Sequence, residues 1–217
     1  MARRGIWTLA NVVTCARVAL VPAWLLVAEL AVTPGSCQGA LWIVTAILFI
    51  LLSLTDKLDG YLARSRNEVT VFGKFLDPIA DKLVVVVAVV FLLQVGSVRA
   101  VVILVVVARE FLVSGLRMVA ASAGEVIAAS NLGKWKTATT MASIAGLLLG
   151  NALRAFPFPP GLLYTEAYGR ILAATWALMG VSQVLLWIAV ALTAWSGVDY
   201  FMKAWPYLSA SEEDTDG

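Results

Sequence analysis

Residues 56–81 read DKLDGYLARSRNEVTVFGKFLDPIAD, with aspartates at 56, 59, 77 and 81 on either side of a short polar loop between strongly apolar segments. A carboxylate inside a membrane costs at least about 2.5 kcal/mol on insertion scales, so four placed together have to be offset by cations. Metal ions are the obvious ones. The stretch points to a helical membrane protein built around an acidic, metal-binding centre.

The rest of the chain agrees. Its 217 residues are 61% hydrophobic and 14% charged, with mean hydropathy +0.89; soluble domains carry roughly 45–50% apolar residues. Apolar runs of about 20 residues, the length that spans a bilayer, recur at 12–31, 40–63, 75–95, 99–121, 136–153 and 171–198. The expected fold is therefore all-α, a single polytopic membrane domain over 1–217 with six transmembrane helices. At 1.5 Å per residue the last run reaches about 42 Å, more than a hydrocarbon core of about 30 Å, so it should tilt or project beyond the membrane. Residues 1–10, with Arg3, Arg4, Ile6 and Trp7, read as a short interfacial segment, and 204–217 as a polar, acidic tail whose last residues, 211–217, are frayed. The first run is too long for a cleavable signal peptide and lacks a small-residue cleavage site, so it is expected to remain in the mature protein. The eight tryptophans read as interfacial belt residues.

Basic residues set the orientation. With the N-terminus in the cytoplasm, the three outer loops hold only Arg99, Arg154 and Arg170 of the 16 Lys and Arg residues, which is the positive-inside bias. Both termini, and the loops 64–74 and 122–135, are expected inside. Cys15 and Cys37 stand near opposite ends of the first run, about 30 Å apart along a helix, too far to bridge. A net charge of +2 does not suggest nucleic acid as a partner. The chain has no histidine, which excludes a Ser-His-Asp triad and a His-ligated zinc, and leaves proton transfer most naturally to a carboxylate.

On the second helix Asp56, Asp59, Gly60 and Ala63 fall at i, i+3, i+4 and i+7, one stripe on one face. The small residues remove bulk beside the acids, so a helix or a flat ligand can approach the backbone. Asp77 and Asp81 are i, i+4 on the third helix, and Pro78 suits that helix's first turn. The loop from Ser65 to Lys74, closed by Gly73, folds the two acidic faces together. Four oxygen donors without His or Cys suit Mg²⁺ or Mn²⁺. Two such ions about 3.5–4 Å apart stabilise both oxygens of an in-line phosphoryl displacement. The alternative use of the acids is pairing with Lys57, Arg64, Lys74 or Lys82, which leaves the Gly/Ala stripe unexplained.

The run matches D-x-x-D-G-x-x-A-R, eight residues, G-x-x-x-D-x-x-x-D at all eight fixed positions, a coincidence expected on the order of once in 10¹⁰ starting positions. In this it resembles the CDP-alcohol phosphotransferases. Outside the signature, Asn11-Val-Val-Thr14-Cys-Ala-Arg17, AREFLVSGLR at 108–117 and IAASNLGKWKT at 127–137 are similar to one subgroup, the phosphatidylglycerophosphate synthases. The last ~75 residues carry no such marker. The resemblance implies a six-helix homodimer in the plasma (inner) membrane of a bacterium, with its active site facing the cytoplasm. It implies displacement of CMP from CDP-diacylglycerol by glycerol 3-phosphate. Asp56, Asp59 and Asp77 would hold two divalent ions. Asp81 would contact the second ion and serve as general base, a role that spacing alone does not single out. Gly60, Ala63 and Gly73 would line the nucleotide cleft, with Arg64 beside it.

The basic residues suit an anionic acceptor. Arg17, Arg109, Arg117, Lys134 and Lys136 lie near expected cytoplasmic helix ends, and Gly133 to Thr137 opens the fifth helix, where free N–H groups and the helix dipole favour phosphate. For Arg117, Lys134 and Lys136 the alternative is positive-inside anchoring. For Arg109, nearly mid-helix, it is pairing with Glu110 or another carboxylate. Asn11 and Thr14, one turn apart, are candidate contacts to nucleotide or phosphate, against capping and packing. Two rival functions stand beside this one. One is another acceptor (inositol phosphate, serine or, for cardiolipin, phosphatidylglycerol). The other is a divalent-cation transporter, which should show midplane acids and inverted repeats; here the acids crowd one end and no repeat is visible.

Overall fold

The computed structural model describes the backbone of residues 8–35, 38–65, 71–122 and 132–213, and the side chains in those ranges except 9–10, 56–65, 71–78, 81, 117, 119–122, 132–134 and 206–213. Six helices follow in order: α1 (Leu9–Val32), α2 (Gln38–Ser65), α3 (Val71–Gln94), α4 (Ala100–Ser122), α5 (Leu132–Ala155) and α6 (Glu166–Glu213). Each covers one of the apolar runs to within a residue, and the described residues include no strand. Over the described residues α1, α2 and α6 are long and apolar enough to cross a membrane, and α3 adds a shorter apolar stretch, Lys82–Gln94. The chain is an integral membrane protein of all-helical fold.

Three boundaries differ from expectation. Helix α3 begins at Val71, so Gly73 and Lys74 lie inside it and Pro78 is interior rather than in the first turn; the apolar Val71, Phe72 and Phe75 extend the helix towards its N-terminus past the glycine. Helix α6 continues to Glu213, through most of the segment read as a polar tail; at 48 residues it is about 72 Å long, far beyond one hydrocarbon core. At the other end Thr8 caps α1, its hydroxyl accepting from the Asn11 N–H at 3.3 Å, so helix occupies the end of the proposed interfacial segment. Residues 1–7 and Cys37 lie outside the described residues; Cys15 is a free thiol.

The chain divides into two compact units, Met1–Val98 with Ile144–Ser182, and Arg99–Ser143 with Gln183–Gly217. In the first, α1 packs on both α2 and α3. An aromatic cluster joins the three. The Trp24 indole N–H donates to the Thr45 carbonyl at 2.9 Å, and its ring centroid lies 6.1 Å from Phe49 and 5.8 Å from Phe91, the latter edge-on. Trp42 meets Phe91 at 5.5 Å. Trp24 and Trp42 are thus core residues, whereas Trp135, Trp176, Trp187, Trp195 and Trp205 are exposed in the belt manner. A cluster spanning three helices leaves no local sequence signal that separates its tryptophans from belt ones.

Helix α3 ends in a Schellman turn, Ser97 N–H to Leu92 O and Gly96 N–H to Leu93 O, both 2.9 Å, with Gly96 at φ +73°, where a glycine avoids the Cβ penalty. Beyond it Asn151 Nδ2 donates to Ser97 Oγ at 2.9 Å, and Gln94 Nε2 to Glu29 Oε2 at 2.9 Å. Later in the same unit, Gly146 and Gly150 form a G-x-x-x-G pair facing α6. A Cβ on Gly146 would collide with the Ser182 hydroxyl, and one on Gly150 would stand 2.5 Å from Met179 Cγ. Such pairs let membrane helices approach closely. In the second unit α6 packs Tyr200 and Ala204 against Val113 and Leu116 of α4.

Gly146→Ala should therefore overpack the α5–α6 contact and destabilise the protein by about 1–3 kcal/mol, seen as a lower midpoint in detergent thermal unfolding. Gly180→Ala, where an added Cβ meets nothing within 4 Å, should not lower it.

Candidate active site

Helix register sets where the four signature aspartates fall along α2 and α3. The packing face of α2 runs through the buried Trp42, Phe49 and Leu52; continuing by steps of three and four reaches positions 56, 59 and 63 at the helix's C-terminal end. The face of α3 runs through the buried Ala80, Val84 and Ala88, and steps of three back from Ala80 and Val84 reach 77 and 81. All four aspartates thus occupy register positions that extend packing faces. Their side chains, with those of Gly60, Ala63, Arg64 and Gly73, lie outside the described residues.

Helix α1 shows the same change of character in described side chains. Its buried row is Asn11, Thr14 and Arg17, then Val21, Trp24, Ala28 and Ala31. The polar part is the N-terminal part, and Arg17 is only 3% exposed. Helix pairing shows which end this is. Trp24 meets Thr45 and Phe49 halfway along α2, and a groove between the helices is lined by Val12 and Val13 together with Thr55, so α1 and α2 run antiparallel. On α3, Phe91 meets Trp24 and Trp42, and Gln94 meets Glu29. The start of α1, the end of α2 and the start of α3 therefore share one end of the three-helix layer. That end brings Asn11, Thr14 and Arg17 together with the aspartate-bearing segments.

Basic residues converge separately in the second unit. Arg109 of α4 and Lys136 of α5 both contact Oε1 of Glu110, the arginine through NH1 at 3.0 Å. Arg109 NH2 donates to Ser196 Oγ on α6 at 2.8 Å, and its guanidinium lies 5.9 Å from the centre of the Tyr200 ring, within cation–π reach. Its Cγ would stand 3.3 Å from a Cβ on Gly197, so the small residue at 197 makes room for the arginine stem. Arg109, Glu110 and Lys136 side chains are 12%, 17% and 14% exposed. Part-buried ions of this kind are held when paired, and here two cations share one carboxylate. The pairing of Arg109 with Glu110, the alternative weighed for it above, is present. Among the described residues Arg109 Nε has no hydrogen-bond partner.

Glu110, Ser196 and Tyr200 did not emerge from the sequence as site residues. Glu110 stands beside Arg109, but its reach to Lys136 spans 26 positions, and Ser196 and Tyr200 sit in the C-terminal part that carries no motif. Arg117 and Lys134 lie on α4 and α5 with side chains outside the described residues. Arg17 belongs to the first unit, and Arg109 and Lys136 to the second.

The family model described as CDP-alcohol phosphatidyltransferase matches residues 7–195. The chain belongs to this family. It is 40% identical over 215 residues to the CDP-diacylglycerol--glycerol-3-phosphate 3-phosphatidyltransferase of Bacillus subtilis (strain 168), covering 94% of this chain and 99% of that protein. A protein of the same description from Rickettsia bellii (strain RML369-C) is 37% identical over 199 residues, covering 92% and 96%. The cardiolipin synthase (CMP-forming) of Oryza sativa subsp. japonica is 35% identical over 217 residues, covering 93% of this chain and 58% of that one.

Glu110→Gln should leave two buried cations without their carboxylate and destabilise the protein by about 3–5 kcal/mol. Ser196→Ala, which removes one charge-assisted hydrogen bond, should cost about 1.5–3 kcal/mol. Thermal unfolding of the detergent-purified variants reads both, and the order Glu110 before Ser196 is the checkable outcome.

Proposed function

We propose that this protein transfers the phosphatidyl group of CDP-diacylglycerol to glycerol 3-phosphate, giving phosphatidylglycerophosphate and CMP. One observation carries this reading: the signature acids extend the packing faces of α2 and α3 in a chain 40% identical, across 94% of its length, to a bacterial protein named for that reaction. The transferase is a single domain of six membrane-crossing helices over 1–217, a homodimer in a bacterial plasma membrane, with both termini and the acidic end in the cytoplasm. That orientation follows from the distribution of Lys and Arg.

The donor set fits hard divalent ions, since the signature supplies four carboxylates and no His or Cys. Asp56, Asp59, Asp77 and Asp81 would hold two Mg²⁺ or Mn²⁺ ions, which when bound neutralise charge on a pyrophosphate. Asn11, Thr14, Gly60, Ala63, Arg64 and Gly73 bind and align the CDP end of the lipid, the small residues leaving room for the base. Arg17, Arg109, Arg117, Lys134 and Lys136 hold the acceptor phosphate, with Glu110 and Ser196 fixing Arg109. Asp81 takes the proton from the acceptor's 1-hydroxyl as its oxygen bonds to the lipid-side phosphorus, and the bond to the CMP oxygen breaks. With no histidine in the chain, a carboxylate is the natural base.

The deciding assay gives purified protein CDP-diacylglycerol with glycerol 3-phosphate, inositol phosphate, serine or phosphatidylglycerol in turn. Transfer to glycerol 3-phosphate alone is expected; preferential use of phosphatidylglycerol would instead make this protein a cardiolipin-forming relative. Activity should vanish in excess EDTA and return with Mg²⁺ or Mn²⁺, and full turnover in chelator would remove the metal site from the account. Asp81→Asn should lower kcat by roughly 10²–10⁴-fold with donor binding largely retained, whereas Asp59→Asn should weaken metal binding itself, measured by titration calorimetry.

A further inference from the structure

Where α5 ends and α6 begins, the first unit holds a cavity of about 220 Å³, at the opposite end from the aspartate-bearing segments. Two contacts fix its place. A Cβ on Gly39, at the start of α2, would stand 2.9 Å from the Ala155 carbonyl oxygen, and Asn151 reaches Ser97, just beyond the end of α3. From Gly39 to position 56 is about 25 Å along α2, most of a hydrocarbon core of about 30 Å, so a lipid at the cavity belongs to the leaflet opposite the aspartates. Arg154 lines the cavity and is exposed. Its guanidinium lies 5.6 Å from the centre of the Trp176 ring, within cation–π reach. Phe156, Phe158 and Tyr168 continue the wall as linked rings, 5.0 and 5.6 Å between centroids. Arg170 is paired with Glu166 one turn before it, but among the described residues no carboxylate pairs with Arg154.

A guanidinium stacked on an indole keeps its N–H groups for an acceptor, and the aromatic wall beside it suits apolar carbon. The C-terminal dipole of α5 favours a cation at 154 but does not account for that wall. A soluble anion would leave the rings uncovered, and a neutral lipid would leave the guanidinium unpaired. The volume falls below the range of about 300–1,000 Å³ that takes a whole small ligand, so the cavity suits a head group and the first carbons of a chain. We infer that it binds an anionic phospholipid of the leaflet opposite the aspartates, with the phosphodiester on Arg154 and the base of one acyl chain against Phe158, Tyr168 and Leu172. The site stands apart from the reaction assigned above and does not depend on it.

The test gives the full-length protein, in detergent micelles, phosphatidylglycerol carrying a diazirine near the acyl carbonyl. Photolabel should appear on wild-type peptides from 155–176 and saturate with the mole fraction of the lipid. Arg154→Gln, which removes one charge-assisted contact, should raise the half-saturating fraction at least about tenfold. Leu172→Trp fills the cavity and keeps the cation; it should abolish the saturable label, and it decides the matter should Arg154→Gln not fold. Phosphatidylcholine and diacylglycerol probes with the same chains should label 155–176 only weakly, and excess inorganic phosphate should not compete. Label absent from that segment, saturation unchanged in both variants, or equal labelling by the uncharged probes would overturn the site. Displacement by inorganic phosphate would overturn its assignment to a lipid.

Discussion

Ionised side chains in an apolar bundle must be neutralised by other groups of the protein or by bound ions, and this constraint governs where the polar residues of this chain lie. Helical register meets it at small structural cost. The packing face of α1 is apolar at Trp24, where the cluster with Trp42, Phe49 and Phe91 joins α2 and α3, and polar at its N-terminal end. The aromatic cluster therefore does more than fill space. By fixing the pairing of three helices it determines that Asn11, Thr14 and Arg17 share an end with the aspartate-bearing segments.

The same constraint shapes the second unit. Arg109 and Lys136 sit on different helices and share one carboxylate, with Ser196 and Tyr200 of α6 completing the arginine's surroundings. A carboxylate between two cations offsets the cost of withdrawing them from solvent. Glu110 thereby joins α4 to α5, and Arg109 joins α4 to α6.

The amino-acid pattern made the six helices legible, because apolar runs of bilayer length are a local property. The family resemblance at residues 56–81 extended to a match over 7–195. Less legible were features that depend on distant partners. Two tryptophans read as belt residues proved to be core, Gly146 and Gly150 drew no notice until α6 was seen against them, and Glu110 gained its second cation from a helix 26 positions away. Helix ends were misjudged where composition and helix continuity disagreed: Gly73 suggested a loop, and the acidic residues after Trp205 suggested a tail. Helix runs on in both places.

The central claim is that the four aspartates form one two-ion centre. Electron paramagnetic resonance of the purified protein loaded with Mn²⁺ addresses it directly, since two ions about 3.5–4 Å apart couple magnetically. A spin-coupled pair signal that disappears in Asp59→Asn is the predicted result. A spectrum of isolated, uncoupled Mn²⁺ at saturating metal, or one unchanged by that substitution, would contradict it.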